Sequence, residues 1–303
     1  MKAKSNKTVK SCAWDLLINI SLGGFTLACI IPVILVVIIS ITEAKYITIH
    51  GYSFFPKGLS LEAYRVVLTD TQSILRVYGV SIFVTVFGTL LSVIITAMLA
   101  YPLSRSSFRY RNIISFIIFF TMLFNGGMVP WYIICTQVLH LRNTLWALIV
   151  PYLVSAFNVI IMKTFFKTTI HESLIESAKL DGAGDFKILR SIVLPLSLPV
   201  LATVGLFTSI SYWNDWWLPT ILIDDNRWIN LQYAMTRVIR NAAFLAEIGL
   251  SSGASSTHTE LARMPTETVR MAMCVLAMGP IVLAYPFLQK YFVKGLTIGS
   301  IKG

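Results

Sequence analysis

ESAKLDGAGDFKILRSIVLP, residues 176–195, is a polar stretch carrying six charges, and it stands between two runs that contain none, 143–162 and 191–214. Moving outward from it, the 303-residue chain shows six such gaps between ionisable residues, His included: 16–42, 77–104, 112–139, 143–162, 191–214 and 271–289. The shortest has 19 residues, and a hydrocarbon layer of about 30 Å takes roughly 20 helical residues to cross. The chain is 56% hydrophobic and 13% charged, with mean hydropathy +0.73, where soluble domains carry about one quarter charged residues. The fold class that follows is all-α: a polytopic membrane protein with six transmembrane helices. Residues 1–303 form a single transmembrane domain, with no separable soluble domain, internal repeat or heptad.

Orientation follows from the basic residues, which concentrate on the cytoplasmic side of membrane proteins. With the N-terminus inside, the inner segments hold Lys2, Lys4, Lys7, Lys10, Arg105, Arg109, Arg111, Lys163, Lys167, Lys179, Lys187, Arg190, Lys290, Lys294 and Lys302, or 15 of 25. Only Asp15, Glu172, Glu176, Asp181 and Asp185 of the 14 acidic residues join them. The inner net charge is then +10 and the outer +1. Both termini are expected in the cytoplasm, and the basic balance reflects topology and anionic lipid without nucleic acid as a partner. The first run, 27 residues long, exceeds the apolar part of a signal peptide and lacks a convincing small-x-small cleavage site, so it is read as retained. Cys12, Cys29, Cys135 and Cys274 are scattered singly and read as small hydrophobes.

Among the connections, 43–76 is an external loop with turn-rich HGYSFFPKG and a short surface helix in LSLEAYRVVL. AYPLSRSSFRYR is a short inner loop whose arginines read as a positive-inside anchor. FNGGMVPWY, 124–132, places Gly126, Gly127 and Pro130 late in the third run, as a kink or a pathway element. A second external segment spans 215–270 and includes the flexible-looking GLSSGASSTHTE at 249–260.

Absent motifs narrow the class. No G-x-x-x-x-G-K-[ST] phosphate loop occurs, nor HExxH, nor GxSxG, and His50, His140, His171 and His258 are far apart. No cofactor or metal is expected on this chain. The six runs hold no carboxylate or histidine, which proton- and ion-coupled carriers usually place there.

The loop itself combines two short helices about a turn. ESLIESAKLD, 172–181, is amphipathic, with Leu174, Ile175, Ala178 and the stem of Lys179 on one side and Glu172, Glu176 and Asp181 elsewhere. Gly182 and Gly184 permit a sharp turn, and Pro195 is tolerable where the fifth span begins. Small Ala178 and Gly182 allow close approach of a partner surface, and Glu176 and Asp181 can accept charge-assisted bonds from it. On chemistry alone, a solvated connecting loop is the favoured reading.

The spacing E-[SA]-A-x-x-x-G, then nine residues, then I-x-L-P resembles the cytoplasmic signature of bacterial ABC importer permeases, carried here by Glu176, Ala178, Gly182, Ile192, Leu194 and Pro195, with Ser177 where that family most often has Ala. KLDGAGDFKILRSIVLPLSLPVLAT, WNDWW, AYPLSR, FNGGMVPWY and the C-terminal YPFLQKYFVKGLTIGSIKG resemble its carbohydrate-uptake type, closest to the complex-polysaccharide or lipoprotein-type branch related to the smaller maltose-permease subunit. The resemblance implies the type I permease fold in a bacterial plasma membrane. It implies an ATPase-coupling loop over 166–192, with Glu172, Glu176, Ser177, Ala178, Asp181, Gly182, Ala183, Gly184 and Asp185 as docking residues. It implies as partners a second, homologous permease, two ATPase subunits that hold the ATP and Mg, and an extracytoplasmic binding protein that delivers a saccharide. The chain would then be a transport subunit and not an enzyme.

A saccharide pathway needs flat apolar faces beside hydrogen-bonding groups. Tyr212, Trp213, Asn214, Trp216 and Trp217 supply them at the end of the fifth run, where they equally fit an interfacial aromatic belt. Asn158, beside Phe157 and Ser155, supplies an amide within the fourth, where helix–helix hydrogen bonding is the favoured alternative. Rival readings are a permease for amino acids, peptides or phosphonates, and a passive six-helix channel or scaffold.

Overall fold

A computed structural model describes residues 9–69, 71–240 and 267–282. Lys2, Lys4, Lys7, the patch at 249–260 and the C-terminal motif at 285–303 lie outside the described residues. The protein is all-α, and a single isolated bridge, Thr42 with Leu59, accompanies the helices among the described residues. These residues form two compact units, one from 9–69, 238–240 and 267–279, the other from 71–237 and 280–282.

The first unit begins with α1, Val9–Ser40, whose side chains are exposed from Trp14 through Ile34. An apolar helix so uncovered belongs in lipid or against a partner. Two short helices follow, α2 at Ala44–His50 and α3 at Glu62–Leu68. The second is the helix expected from LSLEAYRVVL, whereas α2 falls in sequence read as loop. Between them Gly51 adopts φ +72°, and the chain is pinned by Glu43 N–H to Gly58 O at 3.1 Å and Ser60 N–H to Ile41 O at 2.8 Å. Ala63 of α3 is buried with Val269 and Ala272 of a helix at 267–282, and the Tyr52 hydroxyl donates to Glu267 at 3.2 Å.

The second unit is built on α4, Thr71–Ser104, about 50 Å long at 1.5 Å per residue. Around it lie α5 (Arg111–Leu123), α6 (Met128–Val138), turns of tighter helix over Leu145–Tyr152, α7 (Ala156–Thr169), α8 (Glu172–Leu180), α9 (Asp185–Leu196), α10 (Leu198–Trp213) and α11 (Trp217–Leu222). α4 packs along α7 and α10, and α5 packs on α4 and α7. The N-terminal half of α4 shares a core with Leu148, Ile149, Tyr212, Leu218 and Leu222. The C-terminal half shares another with Met162, Phe166, Val193, Val200 and Val204. At Gly88 the helices come so close that a Cβ would stand 2.7 Å from the Tyr212 ring.

Three of the expected runs are bent rather than straight. Among the described residues, α1 and α4 are the two helices long and apolar enough to cross a membrane unbroken, and three bent pairs bring the number to as many as five. The sixth run, 271–289, lies only partly within the described residues. The third turns by 116° between α5 and α6, where Gly127 takes φ +88° and its N–H donates to Asn125 Oδ1 at 2.9 Å. The fourth bends by 49° between the 145–152 turns and α7, and α7 continues to Thr169 although 163 and 167 are lysines. Long Lys stems let a helix carry its ammonium groups out to the interface, so charge marks the span's end earlier than the backbone does. The fifth turns by 83° at Ser197, and α10 starts at Leu198 with Pro199 in its first turn. Pro195, expected to open that span, instead sits in α9, where it lacks the N–H that would reach Ser191, and a π-turn over Leu189–Val193 precedes it.

Gly88→Ala is expected to lower the stability of the purified protein by about 1–3 kcal/mol through overpacking against Tyr212. Gly79→Ala on the same helix, with nothing within 4 Å of a new Cβ, serves as control, and the two thermal midpoints in one detergent decide the matter.

Candidate functional site

The two helices around the turn form a hook. α8 ends in a left-handed turn in which Gly182, at φ +79°, donates its N–H to Lys179 O at 3.0 Å and Ala183 donates to Ala178 O at 2.9 Å. These paired bonds satisfy the last carbonyls of the helix. Gly184 has φ −72° and merely precedes α9, so of the two glycines only Gly182 occupies a backbone position that disfavours a side chain. Lys179 Nζ to Asp185 at 3.2 Å closes the hook across the turn.

One face of α8 is buried through Ile175, in a core with Phe166, Ile188, Leu189 and Val193, and Ala178 and Ala183 pack partly against it. Leu174 and Lys179, expected on that face, are exposed. Glu176, Ser177, Asp181, Gly182, Gly184 and Asp185 are exposed too, as are the apolar Leu180 at 89% and Phe186 at 69%. The hook therefore presents carboxylates beside large uncovered apolar groups. Glu172 is exposed but engaged: the Ser106 hydroxyl donates to its carboxylate and holds it below the usual carboxylate range.

Arg105 fixes the hook to the helices. Its Nη2 donates to Phe166 O at 2.9 Å, Nη1 reaches Ile170 O at 3.5 Å and Nε donates to Ser104 Oγ at 3.0 Å, while the guanidinium lies 5.6 Å from the Tyr101 ring centre. It is 7% exposed. Arg105, read from the sequence as a positive-inside anchor, has a structural role besides: its side chain caps the C-terminus of α7 from the end of α4. A cleft of about 570 Å³ opens beside it, lined by Tyr101, Phe108, Glu176, Lys179 and Phe186 among others.

Toward the other end of α10 lies a cavity of about 700 Å³. Asn158, Asn214, Trp216 and Trp217 line it together with Phe157, Ser155, Thr208 and Ser211. Positions 207, 208, 211 and 214 follow helical spacing and share a face. Tyr212 and Trp213 fall on the opposite face and are buried, the Tyr212 hydroxyl donating to Ile149 O at 2.8 Å. The Asn158 amide donates to Thr208 Oγ1 at 3.3 Å, joining α7 to α10 while standing at the cavity wall.

Asp215, a residue that sequence reasoning passed over, organises the cavity floor. Its carboxylate accepts from Trp217 N–H at 3.0 Å, Leu218 N–H at 3.2 Å and the Tyr152 hydroxyl at 3.3 Å, and Asn230 donates to its carbonyl. Burial pushes its carboxyl up to about 6. The available signal was a lone carboxylate among three tryptophans in WNDWW. Nearby arginines turn out to be engaged within the chain. Arg142 donates twice to Asp224, at 2.8 and 3.0 Å, Arg227 pairs with Asp225 at 2.6 Å, and Asn143 Oδ1 accepts both Asp224 and Asp225 N–H.

Residues 88–298 match the family described as binding-protein-dependent transport system inner membrane component. The chain is 38% identical to the polygalacturonan/rhamnogalacturonan transport system permease protein YtcP of Bacillus subtilis (strain 168), across 97% of this chain and all of that one. It is 37% identical to protein LplC of the same organism, covering 93% and 92% of the two. Among solved structures, a chain from the crystal structure of a bacterial ABC transporter involved in the import of the acidic polysaccharide alginate superposes with a TM-score of 0.79 and 31% identity, over 95% of this chain and all of that one.

Gly182→Ala is expected to destabilise the protein by about 1 kcal/mol, since an L side chain must enter the left-handed region. Gly184→Ala should be close to neutral. Denaturation of both variants measures this, and equal effects would refute the left-handed turn.

Proposed function

The chain belongs to the family of binding-protein-dependent transport system inner membrane components, and we propose that it is the membrane-spanning subunit of an ATP-driven importer for a saccharide, built of oligosaccharide or polysaccharide-fragment units. It pairs with a second, homologous permease, two ATPase subunits bind the cytoplasmic face, and an extracytoplasmic binding protein delivers the cargo. Both termini lie inside, and six spans cross the membrane.

The observation that carries this reading is the exposed hook, braced from behind by Arg105 and Ile175 and presenting Glu176, Leu180, Asp181 and Phe186 outward. A rigid projection with apolar and acidic groups suits a cleft on a separate motor subunit. Closure of that motor on ATP moves the hook, and the helices behind it shift between inward-facing and outward-facing arrangements as a change of population. The cavity at Asn158, Asn214, Trp216 and Trp217 offers stacking faces beside amides and hydroxyls, the two kinds of contact a sugar ring takes. The saccharide assignment leans further on the similarity to transporters of polygalacturonan, rhamnogalacturonan and alginate.

Glu176→Lys and Gly182→Trp are each expected to abolish uptake in cells while leaving membrane insertion intact. A crosslinker placed at Ala178 should capture the ATPase subunit in the assembled complex. Uptake unaffected by both exchanges would favour a passive channel or scaffold. In proteoliposomes, oligosaccharide delivered with the binding protein should stimulate ATPase activity, and Trp216→Ala should raise the concentration needed by about tenfold, the loss of one to two kcal/mol of ring stacking. Stimulation by peptides alone would end the sugar assignment.

A further inference from the structure

On the side of α7 facing α5, two pairs of side chains meet. Arg111 and Ser115 stand four residues apart on α5, and Lys163 and Lys167 four apart on α7, so each pair occupies one helix face. The helices pack on each other, and Lys163 Nζ donates to Ser115 Oγ at 2.7 Å, which ties the pairs together. Lys163, Arg111 and Ser115 are half-buried, and Lys167 is exposed.

The charges acting on Lys163 are Lys167 and Arg111, both positive. Among the described residues no carboxylate forms an ion pair with any of the three. The carboxylate that Arg111 senses is Glu172, which already accepts from Ser106. Arg111 spends one donor on Arg105 O at 3.3 Å, and among the described residues no other hydrogen bond engages its fork. The first turn of α5 adds to the same field, because Tyr110 supplies no side-chain cap and the amide dipoles point positive there. Three cations and an uncapped helix start repel one another unless an anion joins them. Farther along the same side of α5 Phe119 and Met122 are exposed and Ile118 is half-buried, an apolar strip on which acyl chains can lie.

We propose that Arg111, Ser115, Lys163 and Lys167 form a binding site for the phosphate of an anionic phospholipid of the inner leaflet, with the acyl chains along α5. The inference rests on the cytoplasmic placement of this end of α5 in the reading above. Lys163 and Arg111 hold the phosphate oxygens between the helices, Ser115 orients Lys163, and Lys167 contributes from the rim. A basic pocket between helices at the cytoplasmic face suits such a headgroup, whereas a neutral zwitterionic lipid gains little because its own ammonium meets the cluster.

The test uses the full importer with its ATPase subunits, purified in a neutral detergent. Phosphatidylglycerol and phosphatidylcholine are titrated in turn, retained lipid is counted by native mass spectrometry, and the thermal midpoint is followed. Phosphatidylglycerol is expected to bind and raise the midpoint, phosphatidylcholine to do neither. Lys167→Gln should weaken the phosphatidylglycerol affinity by about fivefold, and Lys163→Gln with Lys167→Gln by about twenty-fivefold, as about 1 kcal/mol per basic residue implies. Unchanged affinity in both variants overturns the site. An equal midpoint shift from inorganic phosphate in place of lipid overturns the lipid as its source. Lys167→Gln breaks no hydrogen bond seen in the described residues and keeps the test open should the double variant fold poorly. None of these readouts requires transport, so an error in the saccharide assignment leaves them standing, and their failure leaves that assignment untouched.

Discussion

One guanidinium joins the ends of the long helices to the start of the projecting hook. At the end of α7 the Phe166 carbonyl accepts the Ile170 N–H at 3.3 Å and keeps a second acceptor position, and the Ile170 carbonyl follows just beyond the helix; a buried acceptor left without a partner costs about 1–3 kcal/mol. Arg105, arriving from the end of α4, satisfies them and brings Ser106 against Glu172 at the first turn of α8. The ends of α4, α7 and α8 are thereby held at one point. A hook anchored so can transmit a push, because it has no slack between its exposed face and the long helix behind it.

The same obligation to satisfy polar groups shows where the backbone turns irregular. Asn125 takes the Gly127 amide at the first bend, and Asn143, at φ +58°, takes the amides of Asp224 and Asp225; at the third bend the Ser197 N–H reaches Leu194 O at 3.1 Å, while its buried hydroxyl has no partner among the described residues. Beyond α10, Asp215 takes the amides of Trp217 and Leu218. Irregular backbone near lipid survives only when covered in this way. The cavity at Asn158 and Trp216 lies beside the second bend, whose residues Tyr152, Val154 and Ser155 line it.

Composition and charge made the all-α membrane character legible, because apolar runs without charges have few other uses. The hook was legible only through the resemblance of its spacing of small and acidic residues to a family signature, since a solvated connector carries the same residue types. What hydropathy cannot carry is direction. A run of 28 uncharged residues at 112–139 reads as one span, yet its glycines turn it by 116°, and only the geometry tells a kink from a reversal. Single polar residues were read incompletely for a related reason. Arg105 counts toward a charge bias, and Asp215 toward a loop, until the partners they capture from distant segments are seen. Tyr212 and Trp213 were grouped with Asn214, Trp216 and Trp217 by adjacency, whereas the helix turns them to the other side.

Energetics connect the hook to the proposed alternation. Driving a two-state equilibrium from mostly one form to mostly the other takes about 5.5 kcal/mol of differential interaction. Covering side chains such as Leu180 and Phe186 contributes about 1.5–3 kcal/mol each when they pass from water to a protein surface, and the carboxylates of Glu176 and Asp181 can add charge-assisted bonds. The sum is of the required size, but only the part that differs between the two states does work. A hook that stayed equally docked throughout would act as a lever, with the energy difference arising between the two motor subunits, whereas one that released in one state would supply the difference itself. The closed construction favours the lever: the turn at Gly182, the Lys179–Asp185 bridge and the Arg105 brace all stiffen the hook against its own core, which suits a part that is moved without changing shape. The compliance that alternation needs then falls at the π-turn before Pro195 and the 83° bend at Ser197, where helix widening and a break in the backbone ladder already stand between the hook and α10.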